Sequence, residues 1–305
     1  MVILSKYSVL EYLTWVRTNN YLEKKRDKEF NYLLTNLSNY IVLDVDSGTN
    51  NLVFELQESA SNCLIFKQFG IDVEEKNKFF LSEITALRQD LDFMPKLHFY
   101  DYQNKIIIIE KFVGYEPISL KLRNCKKLGS ETIKNILKTL ATRLKVIHKK
   151  TIIHSQENPQ KYPLEKWEEH IKANYPIAPF WKLFENVWNS SQCLVHHDLN
   201  GANVLIKDSD VKIIDWEMSE MGHPYLDLCS VIRVICLTMG DSPFFNLELT
   251  GNFPQIKDYV EYFLLQYDSK FDFTKREQLK VIFKIHSFYL FDEEYYFKNI
   301  DTLLS

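Results

Sequence analysis

Between residues 196 and 217 the chain reads His196-His197-Asp198-Leu199-Asn200-Gly201-Ala202-Asn203 and then Val211-Lys212-Ile213-Ile214-Asp215-Trp216-Glu217. Carboxylates and carboxamides recur at short intervals beside apolar runs. Such groups suit phosphoryl transfer, in which charge accumulates on a triphosphate and positioning does most of the work. A carboxylate is needed beside the acceptor hydroxyl, and hard oxygen ligands are needed for magnesium at the β- and γ-phosphates. Asp198 fits the first role, and Asn203 and Asp215 fit the second. Singly, Asp and Asn are more often turn formers than catalysts, so the whole set carries the reading.

Elements that could position these groups are legible in the hydrophobic pattern. Residues up to about 40 read as helical, with Tyr7, Leu10, Leu13 and Val16 on one face. Three β-prone runs follow, Ile41-Val42-Leu43, Leu52 to Leu56 and Cys63 to Lys67, separated by polar turns at 46–51 and 58–62, as in an antiparallel meander. A helix is expected through Phe79, Phe80, Ile84 and Leu87. Strands are expected at Lys96 to Tyr100 and Lys105 to Glu110. Beyond Phe112-Val113-Gly114 the chain turns mainly helical, with Ser130 as the cap of a helix carrying Ile133, Ile136, Leu137, Leu140, Leu144 and Ile147. The expected class is α+β, divided into an N-terminal region 1–113, including the helical segment 1–40, and a C-terminal region 114–305.

The segment His-x-Asp-x-x-x-x-Asn, followed by Ile214-Asp215-Trp216-Glu217 and Gly222-His223-Pro224-Tyr225-Leu226-Asp227-Leu228, resembles the catalytic loop and metal-binding strand of the aminoglycoside phosphotransferase and choline kinase superfamily. His-x-Asp-x-x-x-x-Asn alone would arise by chance in a chain this long with probability on the order of one per cent. The resemblance implies a protein-kinase-like fold of two lobes, an antiparallel-sheet N-lobe with one packed helix and a larger helical C-lobe. It implies transfer of the γ-phosphoryl group of ATP, or of GTP, to a hydroxyl of a small acceptor, with magnesium as cofactor.

Residue by residue, the resemblance implies that Asp198 is the catalytic base and that Asn203 and Asp215 are metal ligands. Lys67 matches the phosphate-contacting lysine, and Glu83, sixteen residues later, its partner. Gly48 and Thr49 lie where the family covers the phosphates, although a full glycine-rich pattern is missing. Glu110 and Phe112 fall where the hinge backbone meets the base. His196 and Asp227 are implied as supports of the loop and His148 as a packed histidine, while His197 occupies a variable position expected to face solvent.

The acceptor is less legible. Glu217, Glu220 and the C-terminal run Asp292-Glu293-Glu294-Tyr295-Tyr296 offer carboxylates and aromatic faces that would suit an ammonium-bearing molecule such as an aminoglycoside or an amino alcohol. Protein substrates are disfavoured, since no Asp-Phe-Gly, activation segment or Ala-Pro-Glu follows Asp215. A catalytically silent nucleotide-binding protein and an atypical protein kinase remain the alternative readings.

Composition narrows the field further. With 46% hydrophobic and 26% charged residues over 305 positions, the chain is globular in character. Its formal charge of -4 argues against a nucleic-acid partner held by a basic surface. No apolar run reaches the ~20 residues of a membrane span. The five scattered cysteines lack any C-x-x-C pair and read as reduced, buried thiols of a cytoplasmic protein.

Overall fold

A computed structural model of the chain describes residues 5–19, 27–45, 51–70, 74–123, 129–149, 178–190, 192–239, 253–291 and 300–305. These form two compact units. The first comprises the described residues up to Tyr115 together with Ile214–Glu217, and the second comprises the described residues from Glu116 to Ile213 and from Met218 onward.

Unit 1 is built on a five-stranded antiparallel sheet. Its strands are β1 (Ile41–Asp44), β2 (Asn51–Ser59), β3 (Asn62–Phe69), β4 (Leu97–Asp101) and β5 (Ile106–Glu110), in the spatial order β1-β2-β3-β5-β4. Strand alternation sends Phe54, Leu56, Leu64, Phe66, Ile106 and Ile108 into one core. Helices α1 (Lys6–Asn19) and α2 (Lys28–Thr35) supply Val9, Leu13, Val16, Phe30, Leu33 and Leu34 to the same cluster. Asp27 caps α2 by accepting the Phe30 N–H at 2.9 Å. The buried stripe of α1 differs from the expected one, because Tyr7 is 75% exposed and Val9 takes the core position. Helix α3 (Glu74–Leu87) meets β3 from its other side chains, with the Phe69 and Phe80 rings 5.5 Å apart, edge to face.

Unit 2 is mainly helical. Helix α5 (Ser130–Lys149) buries Ile133, Ile136, Leu137, Leu140, Ala141, Leu144 and Ile147 at three- and four-residue intervals. Its N-cap is Gly129 and not Ser130, since the Gly129 carbonyl accepts the Thr132 and Ile133 N–H groups. After the short strand β6 (Glu116–Pro117) and α4 (Ile118–Arg123), two small sheets punctuate the helices. Strand β7 (Cys193–Val195) pairs with β10 (Glu220–Gly222), and β8 (Val204–Lys207) lies between β6 and β9 (Asp210–Ile213). Helices α6 (Ala178–Trp188), α7 (Tyr225–Met239), α8 (Phe253–Tyr267) and α9 (Phe273–Phe291) complete the unit. Helix α7 is buried nearly all round, as expected of a central helix. Among the described residues no helix is long and apolar enough to cross a membrane.

Candidate active site

In unit 1 the chemistry gathers around Lys67. Register places it opposite Val53 of β2 and Ile107 of β5, in the middle of the sheet. Phe66 points into the apolar core, so period-two alternation turns Lys67 to the α3 side. There its Nζ lies 2.7 Å from Glu83 Oε2, 2.6 Å from Asp215 Oδ1 and 2.8 Å from Glu217 Oε2. Lys67 is 5% exposed and Glu83 is 1% exposed. Burial opposes the ammonium charge, but the three carboxylates override it and raise the Lys67 pKa. One lysine cannot neutralise three carboxylates. Burial, with Asp215 and Glu217 adding to it against the pull of Lys67, pushes Glu83 up to about 7.

Glu217, expected toward an acceptor, instead faces inward: besides Lys67 it accepts the Asn51 Nδ2 donor at 2.6 Å. A buried ammonium attracts the nearest carboxylates, and two residues from Asp215 is close enough. Asp215 itself holds a left-handed φ of 64°, and its side chain is 38% exposed. Among the described residues it engages Lys67 through Oδ1, and Oδ2 is left for another cation.

In unit 2 the loop after β7 is fixed by hydrogen bonds. His196 and His197 donate their backbone N–H groups to Asp227 at 3.0 to 3.1 Å, and His148 Nε2 lies 3.0 Å from the same carboxylate. His148 Nδ1 is in turn 2.9 Å from the Tyr267 hydroxyl. His196 Nδ1 accepts the Asp198 N–H at 3.3 Å. The Asp198 carboxylate is half-buried and receives Nδ2 of Asn200 and of Asn203, each at 3.1 Å. Asn203 also donates Nδ2 to the Asp198 carbonyl at 2.9 Å, which leaves its own side-chain oxygen available. Asn200 Oδ1 closes the turn on the N–H groups of Ala202 and Asn203. Asn203 immediately precedes the β8–β9 hairpin and Asp215 follows it by two residues.

His197 and Glu220 are placed differently from expectation. His197 does not face solvent: it is 2% exposed, with a φ of 68°. Its neighbour Glu220 is 1% exposed, 3.7 Å from His197 Nε2, and so lies inside the packed unit and not on an open acceptor face. Glu110 ends β5 with its N–H on the Lys96 carbonyl, and Phe112 lies half-buried with its ring 5.6 Å from Tyr115. Gly48, Thr49, Asp292 and Glu293 lie outside the described residues. Sequence reasoning missed Tyr267 and Asn51, whose partners are distant in the chain and whose residue types carry no motif.

The model of the family described as "Phosphotransferase enzyme family" matches residues 42–249, more than half of the chain. The chain belongs to the phosphotransferase enzyme family. Solved structures agree at the level of the fold. The streptomycin–ATP ternary complex of APH(2″)-IIa is 16% identical, covers 100% of this chain and 97% of its own, and has a TM-score of 0.57. A choline kinase from Cryptosporidium parvum Iowa II is 13% identical, with 97% and 93% covered and a TM-score of 0.56. Macrolide 2′-phosphotransferase type I is 12% identical, with 100% and 99% covered and a TM-score of 0.54. No curated protein matches. The phosphotransferase chain therefore has the α+β, protein-kinase-like fold that its motif implied.

Proposed function

We propose that this phosphotransferase is a small-molecule kinase that transfers the γ-phosphoryl group of ATP or GTP to a hydroxyl of its acceptor. The observation that carries the reading is Lys67, buried and bonded at once to Glu83 and Asp215. An ammonium so held is ready to contact α- and β-phosphate oxygens, with Glu83 keeping it in place. Asp198 is oriented by Asn200, Asn203 and the His196 ring to accept the proton of the acceptor hydroxyl.

The donor set suits magnesium. Among the described residues Asp215 retains Oδ2 and Asn203 retains its carbonyl oxygen, while the oxygens that Glu83, Asp215 and Glu217 bring together are bridged by Lys67. All are hard oxygens of the kind Mg²⁺ prefers. Asn203 and Asp215 would hold the ion, which when bound neutralises charge on the β- and γ-phosphates. Glu110 and Phe112 are assigned to the base, and the four cysteines among the described residues, buried and unbridged, support a reducing, cytoplasmic setting.

Glu217 and Glu220 lend no support to an ammonium-bearing acceptor, because both are engaged internally. The test is magnesium-dependent transfer from γ-labelled ATP and GTP to pooled aminoglycosides, amino alcohols, macrolides and simple sugars. Transfer to one pool is expected, with Asp198→Asn lowering turnover by about 10²–10⁴ while nucleotide still binds. Nucleotide binding without transfer to any pool would favour a silent binding protein, and labelling of a protein instead would favour a protein kinase.

A further inference from the structure

Behind the loop that carries Asp198, unit 2 buries a second polar cluster that the proposed phosphoryl transfer does not use. His197 comes from the loop, Glu220 from β10, Arg233 from α7 and His286 from α9. Their exposures are 2%, 1%, 8% and 0%. His197 Nε2 is 3.7 Å from Glu220 Oε1, and its ring stands edge to face on His286 with centroids 5.5 Å apart. Burial, with the charges of Arg233 and His197, drives the His286 pKa well down, so His286 is a neutral partner.

Two costs meet at His197. Polar side chains are desolvated there, where apolar ones would fill space without that penalty. The backbone also holds φ at 68°, a left-handed conformation that glycine adopts freely and a residue with a β-carbon adopts only at some cost. Packing around the side chain must then help to hold that backbone. The His197 N–H is already held by Asp227, while its imidazole packs against Glu220 and His286. The peptide unit leading into Asp198 is thus anchored on two sides.

We propose that His197 is a positioning residue for Asp198: its imidazole, packed against Glu220 and His286, holds the left-handed backbone at 197 and with it the direction of the Asp198 side chain. The proposal rests on the kinase reading for its effect on turnover, but its effect on the loop is separately measurable.

The experiment compares the full chain with His197→Gly, His197→Gln and Glu220→Gln by steady-state kinetics and by amide hydrogen exchange across residues 198–200. If His197 merely fills space, glycine relieves the backbone and leaves kcat and exchange as they were. The expected result is the opposite. For His197→Gly, kcat should fall about tenfold with nucleotide KM within about twofold, and loop exchange should quicken about tenfold. His197→Gln, which keeps a donor at similar reach, should recover kcat to within about threefold of wild type. If His197→Gly fails to fold, Glu220→Gln, which preserves volume, carries the same expectation for both readouts. Unchanged loop exchange in His197→Gly, or in Glu220→Gln where the glycine variant fails to fold, overturns the proposal, as does quickened exchange with unchanged kcat. A wild-type chain that transfers phosphate to no acceptor removes the kinase reading, and the exchange comparison still decides whether His197 holds the loop.

Discussion

His148 Nε2 lies 3.0 Å from Asp227 Oδ2, so α5 and the loop leading to Asp198 share one fully buried carboxylate. Burial acts to raise the Asp227 pKa. The hydrogen bond and charge of His148, with His196, outweigh it and hold the pKa below the usual value. A depressed carboxylate pKa contributes stability that is complete above the unfolded value of about 3.9 and is lost as pH falls through the folded value.

Asp227→Asn should therefore lower the unfolding free energy by about 3 kcal/mol at neutral pH, since an amide cannot accept all of these donors and places its own N–H groups against them. Urea unfolding at several pH values checks both parts. The variant should also show a flatter loss of stability below about pH 4 than the wild type.

Tyr267→Phe probes the far end of the same chain of contacts. The phenol is 2.9 Å from His148 Nδ1, and its loss leaves a buried ring nitrogen without that partner. A loss of about 1 to 2 kcal/mol is expected in the urea midpoint. Combined with Asp227→Asn, the two changes should be non-additive by at least about 0.5 kcal/mol, because both act through one imidazole.

Much of this was legible in the sequence where local chemistry decides the outcome. The run Leu64 to Lys67 reads as a strand because its residues favour the pleated surface, and alternation alone separates Phe66 from Lys67. Ile133 to Ile147 reads as one helical face because their spacing matches the turn. The signal failed where a distant partner decides. Lys67 and Asp215 are 148 residues apart, and nothing local says that Ile214–Glu217 packs with unit 1 or that Glu217 turns to a lysine. The resemblance put His197 at a variable position expected to face solvent. Its burial depends on Glu220 and His286, which arrive from other elements. Tyr7 was assigned to the α1 core on periodicity, but Val9 fills that place one half-turn away.

The Lys67 cluster makes a prediction of opposite sign to that of Asp227. Glu83 is pushed up to about 7, above the unfolded value near 4.3. Between those values the folded chain holds a proton that the unfolded chain has released. Stability from this group therefore falls as pH rises across that window. Glu83→Gln should flatten the decline by an amount on the order of 2 kcal/mol, read as the difference between unfolding free energies at about pH 5 and about pH 7. A decline that persists unchanged in the variant would assign the proton to another group.

Gly201 supplies the last prediction. A β-carbon built there would sit 2.7 Å from Ser119 Cβ at the start of α4, closer than two carbons approach. The same two residues are joined by the Ser119 N–H to the Gly201 carbonyl at 3.2 Å, so the loop cannot simply swing away. Gly201→Ala should cost about 1 to 3 kcal/mol by overpacking. It should also lower turnover, because Gly201 lies between Asp198 and Asn203 in a turn that Asn200 closes. Ser119→Ala keeps the offending carbon and should rescue nothing. Ser119→Gly removes it, so the double variant Gly201→Ala/Ser119→Gly should regain most of the lost turnover, while α4 pays a helix-propensity penalty of about 1 kcal/mol at its first turn. Unfolding free energies and kcat for the wild type, Gly201→Ala, Ser119→Gly and their double variant give the cycle, with Gly201→Ala/Ser119→Ala as its control. Rescue by glycine and not by alanine would locate the strain at that single carbon contact.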